Sequence, residues 1–404
     1  MPKNSKITAL IILTVLTLSS ITYGFFIEET VWFFLGSSKY YLNDGILFSR
    51  GFLIILAPSF LIFAALFGHC ADRFGDKRMI LICLVLLILS CTLLYPAMQH
   101  ENLVQIVLAH FLFGFGMCSL PILYAALFRI SSNSQTRLIY VLLAVLCSHA
   151  FFIIGIIIHD YGILNFSHLE INTLIISVLI ASILLTLYLK PPTENKSKTI
   201  THHPFSRQVT RLMVSTKFKS TFLLAGLIIF AHALFIESPH QHSSLLTSDH
   251  KNDYDLFMSI SYAVMLLGAF TLIFLKKHFK EMRYVLIIGA LLIILGCLGE
   301  LLTNTRIYFW SFGILSSFGF GLLSLILFYG SFSAGTRFSG ITMGLYLSLW
   351  ALAMAFANIT ISLLSIYFNH MEILNILRVI ITLIMLNLSY IVYKAIFKKK
   401  ECQR

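Results

Sequence analysis

Apolar runs of about 20 residues, the length that spans a bilayer as a helix, recur along nearly the whole chain of 404 residues. A segment crossing hydrocarbon must satisfy every backbone N–H and C=O internally, so only α-helices and closed barrels are available. Barrel strands read as roughly 10 residues of alternating polarity. These runs are longer and unbroken, and so they are helices. Composition points the same way, because 58% of residues are hydrophobic and 11% charged, too few charges to coat a water-soluble globule. The reading is an all-α integral membrane protein with twelve transmembrane helices.

The first six spans are expected at Ile7–Ile27, Gly51–Phe67, Met79–Ala97, Leu103–Phe128, Leu138–Ile158 and Asn172–Leu189. The first is too long for a signal peptide and lacks a cleavage pattern. Trp32, Phe33, Phe34, Tyr40 and Tyr41 follow it as an interfacial aromatic belt. Residues 191–219 are polar, basic and proline-containing, a water-exposed linker with one amphipathic helix near its end. Six further spans follow at Ser220–Phe235, Leu256–Leu275, Tyr284–Leu302, Ile307–Tyr329, Ser339–Tyr367 and Ile373–Tyr393. The chain therefore divides into a six-helix half at 1–190, the linker at 191–219, and a second half at 220–404.

The net charge of +12 is a topology signal and not a nucleic-acid footprint. Every Lys and Arg except Lys39, Arg50, Lys251, Arg306 and Arg378 falls in the tails, the linker or the loops on one side. Excess positive charge marks the cytoplasmic face, so both termini are placed inside. None of the seven cysteines has metal-ligand spacing or lies in an outer loop, which predicts free thiols.

The one charged island in the first half is Gly68–Ile80, GHCADRFGDKRMI. Gly68 and Gly75 permit close helix approach and a sharp reversal, and Asp72 suits the N-terminus of a neighbouring helix, where N–H groups and the dipole favour an anion. An internal repeat accompanies it. Phe113-Gly114-Phe115-Gly116, Ser119-Leu120 and Tyr124 recur 205 positions later as Phe318-Gly319-Phe320-Gly321, Ser324-Leu325 and Tyr329. Each span then runs into an inner Thr-Arg pair, Thr136-Arg137 and Thr336-Arg337.

Gly68, Asp72, Arg73, Gly75, Lys77 and Arg78 resemble the signature of the major facilitator superfamily between its second and third helices, G-x-x-x-D-R-x-G-x-[RK]-[RK]. Asp76 stands where that family more often has a basic residue. The resemblance implies two six-helix pseudo-repeats and alternating access driven by a gradient. His110-x-x-x-Gly114-x-Gly116 resembles a second motif of the superfamily, in which an Arg implicated in proton coupling occupies the first position. Drug exporters of the family often carry G-x-x-x-G-P in span five. Span five here has one glycine and no proline, which argues against drug/proton antiport.

Ionisable groups inside spans mark pathways or proton relays. The candidates for proton coupling or substrate contact are His110, Glu28 and Glu29 at the outer end of span one, and His232 and Glu237 in span seven. Each has a structural alternative: a neutral hydrogen-bonded histidine, or carboxylates exposed at the membrane rim. Outer-loop residues His159-Asp160, His168, His240, His242 and Asp249-His250 could sense pH or bind a metal, but solvated loop histidines are the plainer account, and no metal site or cofactor is assigned. No phosphate loop or nucleophile constellation is present.

The expectation is therefore a secondary transporter of a small solute in an inner, lipid membrane, coupled to protons and acting as a monomer. Proton-driven efflux of lipophilic compounds is the alternative within the class. A membrane acyltransferase with a buried histidine is the alternative outside it.

Overall fold

The computed structural model describes residues 3–36, 63–130, 134–160, 168–189, 204–237, 263–271, 282–302, 306–334 and 339–367, with isolated positions at 257, 260–261 and between 376 and 387. Every described element is a helix, and no strand occurs among the described residues. In chain order they are α1 (Lys3–Gly36), α2 (63–74), α3 (Asp76–Gln99), α4 (Leu103–Met117), α5 (Ser119–Ile130), α6 (Ser134–Asp160) and α7 (His168–Leu187). They continue as α8 (Phe205–Val214), α9 (Thr216–Glu237), α10 (263–271), α11 (Met282–Leu302), α12 (Arg306–Ala334) and α13 (Ser339–Tyr367). Among the described residues, Ser5–Phe26, Asp76–Gln99, Leu103–Ile130 and Leu169–Leu187 are long and apolar enough to cross a membrane.

Two compact units emerge, one of Met1–Thr210 with Gly335–Ala351, the other of Arg211–Ala334 with Leu352–Arg404. In the first, α1 packs on α5, α6 and α7, and α3 packs on α4, α5 and α7. The α5 helix is buried almost all round, from Ser119 through Phe128, as expected of a helix enclosed by others. The α3 and α4 helices instead expose Ile82, Val85, Leu89, Val104 and Leu108, apolar side chains that suit a lipid solvent. In the second unit α12 packs on α9 and α11.

Helix ends depart from the expected spans in ways with identifiable causes. The reversal between α2 and α3 occupies Gly75 alone, at φ 96°, a left-handed conformation that glycine adopts without steric cost. Asp76, Lys77 and Arg78 consequently form the first turn of α3 instead of a loop. At the turn between α3 and α4, Asn102 caps α4 by accepting from the Gln105 N–H at 3.3 Å. Helix α1 runs to Gly36, past Glu28 and Glu29 and through Trp32–Phe34. His159 and Asp160 end α6, and His168 begins α7, so these residues are helical and not looped.

The expected span four is two helices. Its break falls at Cys118, whose N–H turns back to the Phe115 carbonyl at 3.1 Å. Pro121 supplies the cause, since it has no N–H for the Met117 carbonyl four residues earlier.

Candidate functional site

The charged island folds into a polar network at one end of the first unit. Gly68 and Gly340 face each other so closely that a Cβ on either would collide with the other's carbonyl, and Gly344 meets the Ala64 carbonyl in the same way. This approach brings α2 against the first turn of α13. There, Asp72 Oδ1 accepts from the Gly340 N–H at 3.1 Å and Oδ2 from the Ile341 N–H at 3.2 Å. These are N–H groups that the helix itself leaves without partners, and the helix dipole adds to the attraction.

Arg129, at the end of α5, completes the arrangement. Its Nη2 donates to Asp72 Oδ1 at 2.8 Å, its Nε donates to Ser339 Oγ at 2.8 Å, and its Nη1 pairs with Asp76 Oδ1 at 3.0 Å. The side chains of Asp72 and Asp76 retain only 15% and 10% exposure, so two crowded carboxylates share one guanidinium. Burial pushes the Asp72 carboxyl above the ordinary aspartate range, opposed by Arg129, the two helix amides and nearby His69.

The other basic residues of the island play different parts. Lys77 donates to the Leu187 carbonyl at the end of α7, a favourable place for a cation. Arg73 is exposed over the ring of Phe74 at 5.2 Å, and Arg78 is exposed as well. The network thus rests on the two aspartates and on Arg129, which reading the sequence passes over as one more topology charge. Its signal was available: two carboxylates placed at a helix junction call for a cation, and Arg129 ends the span next along.

His110 lies within α4, 1% exposed. Its Nδ1 is 2.7 Å from the Ile106 carbonyl one turn back, so Nδ1 carries the proton in that bond. Its ring meets Phe26 of α1 edge-on at 5.2 Å, and Phe26 stacks on Phe113 at 3.8 Å. One turn on, the Tyr23 hydroxyl and Ser119 Oγ are 2.6 Å apart at the α4–α5 break. The side chains of Glu28, Glu29, His232 and Glu237 lie outside the described residues, although the backbones of all four are helical. His110 is therefore not brought to the Asp72 network; it is seated against α1.

The repeat glycines are packing positions. Gly116 faces Leu87 and the Cys83 carbonyl of α3, Gly319 faces the Gly289 carbonyl and Ile293 of α11, and Gly321 faces the Met265 carbonyl of α10; Gly114 is buried. Among the described residues no cluster of His, Cys, Asp or Glu could hold a metal, and the segments carrying His240, His242 and His250 lie outside them.

Helices of membrane-crossing length and glycine-mediated helix crossings define a multi-pass, all-α membrane protein. The family model of the Major Facilitator Superfamily matches residues 8–358, and the chain belongs to that superfamily: it is a secondary transporter and not an enzyme. A search of curated proteins finds no relative by sequence. Among solved structures, the fold is similar to the E. coli fucose:proton symporter FucP, in a point variant (TM-score 0.74) and in the outward conformation (TM-score 0.76), at 13% identity over 96% of this chain and 99% of that one. It is also similar to the human organic anion transporter MFSD10, with TM-score 0.76 and 14% identity over 96% of this chain and all of that one.

Proposed function

We propose that the chain moves a small polar solute across an inner membrane by alternating access, coupled to a proton, as a monomer of twelve spans with both termini cytoplasmic. In this reading the halves 1–190 and 220–404 rock about a midplane site, and residues 191–219 join them. The observation that carries the reading is the Asp72–Arg129 network on the first turn of α13. It joins four helices, α2, α3, α5 and α13, through two aspartates, one arginine and two backbone amides, the kind of contact that forms in one state and parts in another. His110 is the proposed proton-responsive group: an imidazole can gain or lose its charge near neutral pH, and its ring abuts α1, which carries Glu28 and Glu29. His232 and Glu237 are the corresponding candidates on α9. The similarity to a fucose:proton symporter supports the proton as coupling ion and sugars as the first substrates to try.

The test is purified protein in liposomes enclosing a pH-sensitive dye, challenged with a pool of sugars including fucose and, separately, with a pool of organic anions. Proton flux triggered by the sugar pool is the expected result. Flux with the anion pool alone would reassign the substrate class, and binding without flux from either pool would end the proton-coupling reading. Replacing His110 by Gln should flatten the pH dependence of transport; an unaltered profile would return His110 to a structural role.

A further inference from the structure

The charged hairpin is contacted just ahead of the linker and again by α8 within it. Where it begins, the last carbonyl of α7, at Leu187, accepts from Lys77 in the first turn of α3. Where it re-enters the described structure, α8 lies against α2. Gln208 is 3% exposed, and its Oε1 is 3.1 Å from His69 Nδ1. The Phe205 ring meets the same imidazole edge-on at 5.7 Å.

A helix of ten residues is too short to persist in water by itself, so α8 exists because it is docked. Its amphipathic pattern agrees, with Gln208 and Leu212 buried and Ser206, Arg207, Thr210 and Arg211 exposed. The docking point is specific. A buried carboxamide is stable only with a partner, and His69 supplies one through Nδ1–H. His69 sits on the last turns of α2, next to Gly68, which touches α13, and three residues before Asp72, which binds the amides of α13. Residues three apart on a helix share a face. Whatever steadies His69 therefore steadies the turn that aims Asp72.

We propose that the linker is a strap on the Asp72 latch: with α8 seated on His69, α2 is held in the register that lets Asp72 grip Gly340 and Ile341, and lifting α8 frees the latch to open. This rests on the reading of the Asp72 network as a state-dependent contact. It gives the linker a role in setting the rate of the conformational cycle, beyond joining two halves.

Hydrogen exchange on the full-length protein in lipid nanodiscs tests it without knowledge of the substrate, because the amides of Gly340 and Ile341 report the latch directly. Gln208→Leu removes the acceptor for His69 and should speed exchange at those two amides about fivefold, the effect of losing one net hydrogen bond. Gln208→Glu keeps the acceptor and should retain the protection, which guards against misfolding in the apolar variant. Asp72→Asn is the control and should speed the same amides by itself. Faster exchange within α8 with Gly340 and Ile341 unchanged would overturn the strap and leave the latch standing. No effect of Asp72→Asn on these amides would overturn both.

Discussion

The same tetrapeptide, Phe-Gly-Phe-Gly, builds two different helices. In the first unit it ends α4, and the helix breaks at Cys118 before resuming as α5. In the second unit it lies inside α12, which continues unbroken from Arg306 to Ala334. The residue responsible is three places beyond the matched serine's predecessor: Pro121 in one copy and Ile326, 205 positions on, in the other. The packing has diverged as well, since the second glycine of the first copy meets the neighbouring span through Leu87, whereas the first glycine of the second copy does so through Gly289. Carried outward at the same offset of 205, His110, Arg129 and Asp72 fall on Leu315, Ala334 and Lys277. The repeat preserves a place for close helix contact, and among the described residues the break and the charge network lie in the first copy.

Exchanging the two residues at the break gives the largest effect. Ile326→Pro places a ring and a missing N–H inside a continuous helix and should destabilise the protein by about 3 kcal/mol, read as thermal unfolding of the purified protein. Pro121→Ala restores a donor where the chain has already adapted to lacking one, and should change stability by less than about 1 kcal/mol. Comparable losses from both would show that proline is tolerated no better in the first copy than in the second. The break would then need another cause.

Much of this was legible in the sequence because lipid leaves few options. Runs of membrane length located helices among the described residues; span eleven is expected at Ser339–Tyr367, and α13 occupies those bounds. The signature spacing located Asp72 and predicted its preference for a helix N-terminus, which is where it lies. Two features were hidden. Pro121 sits in an apolar run, and hydropathy is blind to a missing N–H. Arg129 lies 57 positions from Asp72, and its role emerges only when α2, α5 and α13 converge. Assigning every inner arginine to topology masked the one that closes the network.

Arg129 supplies the next comparison. Arg129→Met leaves Asp72 and Asp76 together without a cation, a like-charge pair in a crowded site. Because Arg129 keeps 27% exposure, solvent screens part of the loss, and the expected destabilisation is about 2 kcal/mol, below the full cost of breaking a buried pair. Transport should fall at least tenfold. The matched change Ala334→Met removes no charge and should cost less stability and transport than Arg129→Met. If the two variants behave alike in unfolding and transport, the asymmetry between the repeats is not functional.

The smallest effect concerns the Asp72 charge, which has no counterpart at Lys277. Burial raises the proton affinity of Asp72 in the latched state despite Arg129 and the two amides, so protonation favours that state over one in which the carboxyl is hydrated. The contribution is fully present below the ordinary aspartate range and is lost as pH rises through the elevated value. Latch protection at Gly340 and Ile341, corrected for intrinsic exchange, should therefore decline with rising pH in that interval, and Asp72→Asn should abolish the slope while slowing transport and sparing substrate binding. A slope of opposite sign would mean that Arg129 and the helix amides outweigh desolvation. A slope that survives in Asp72→Asn would assign it to another group, Asp76 or His69 being the nearest titratable neighbours.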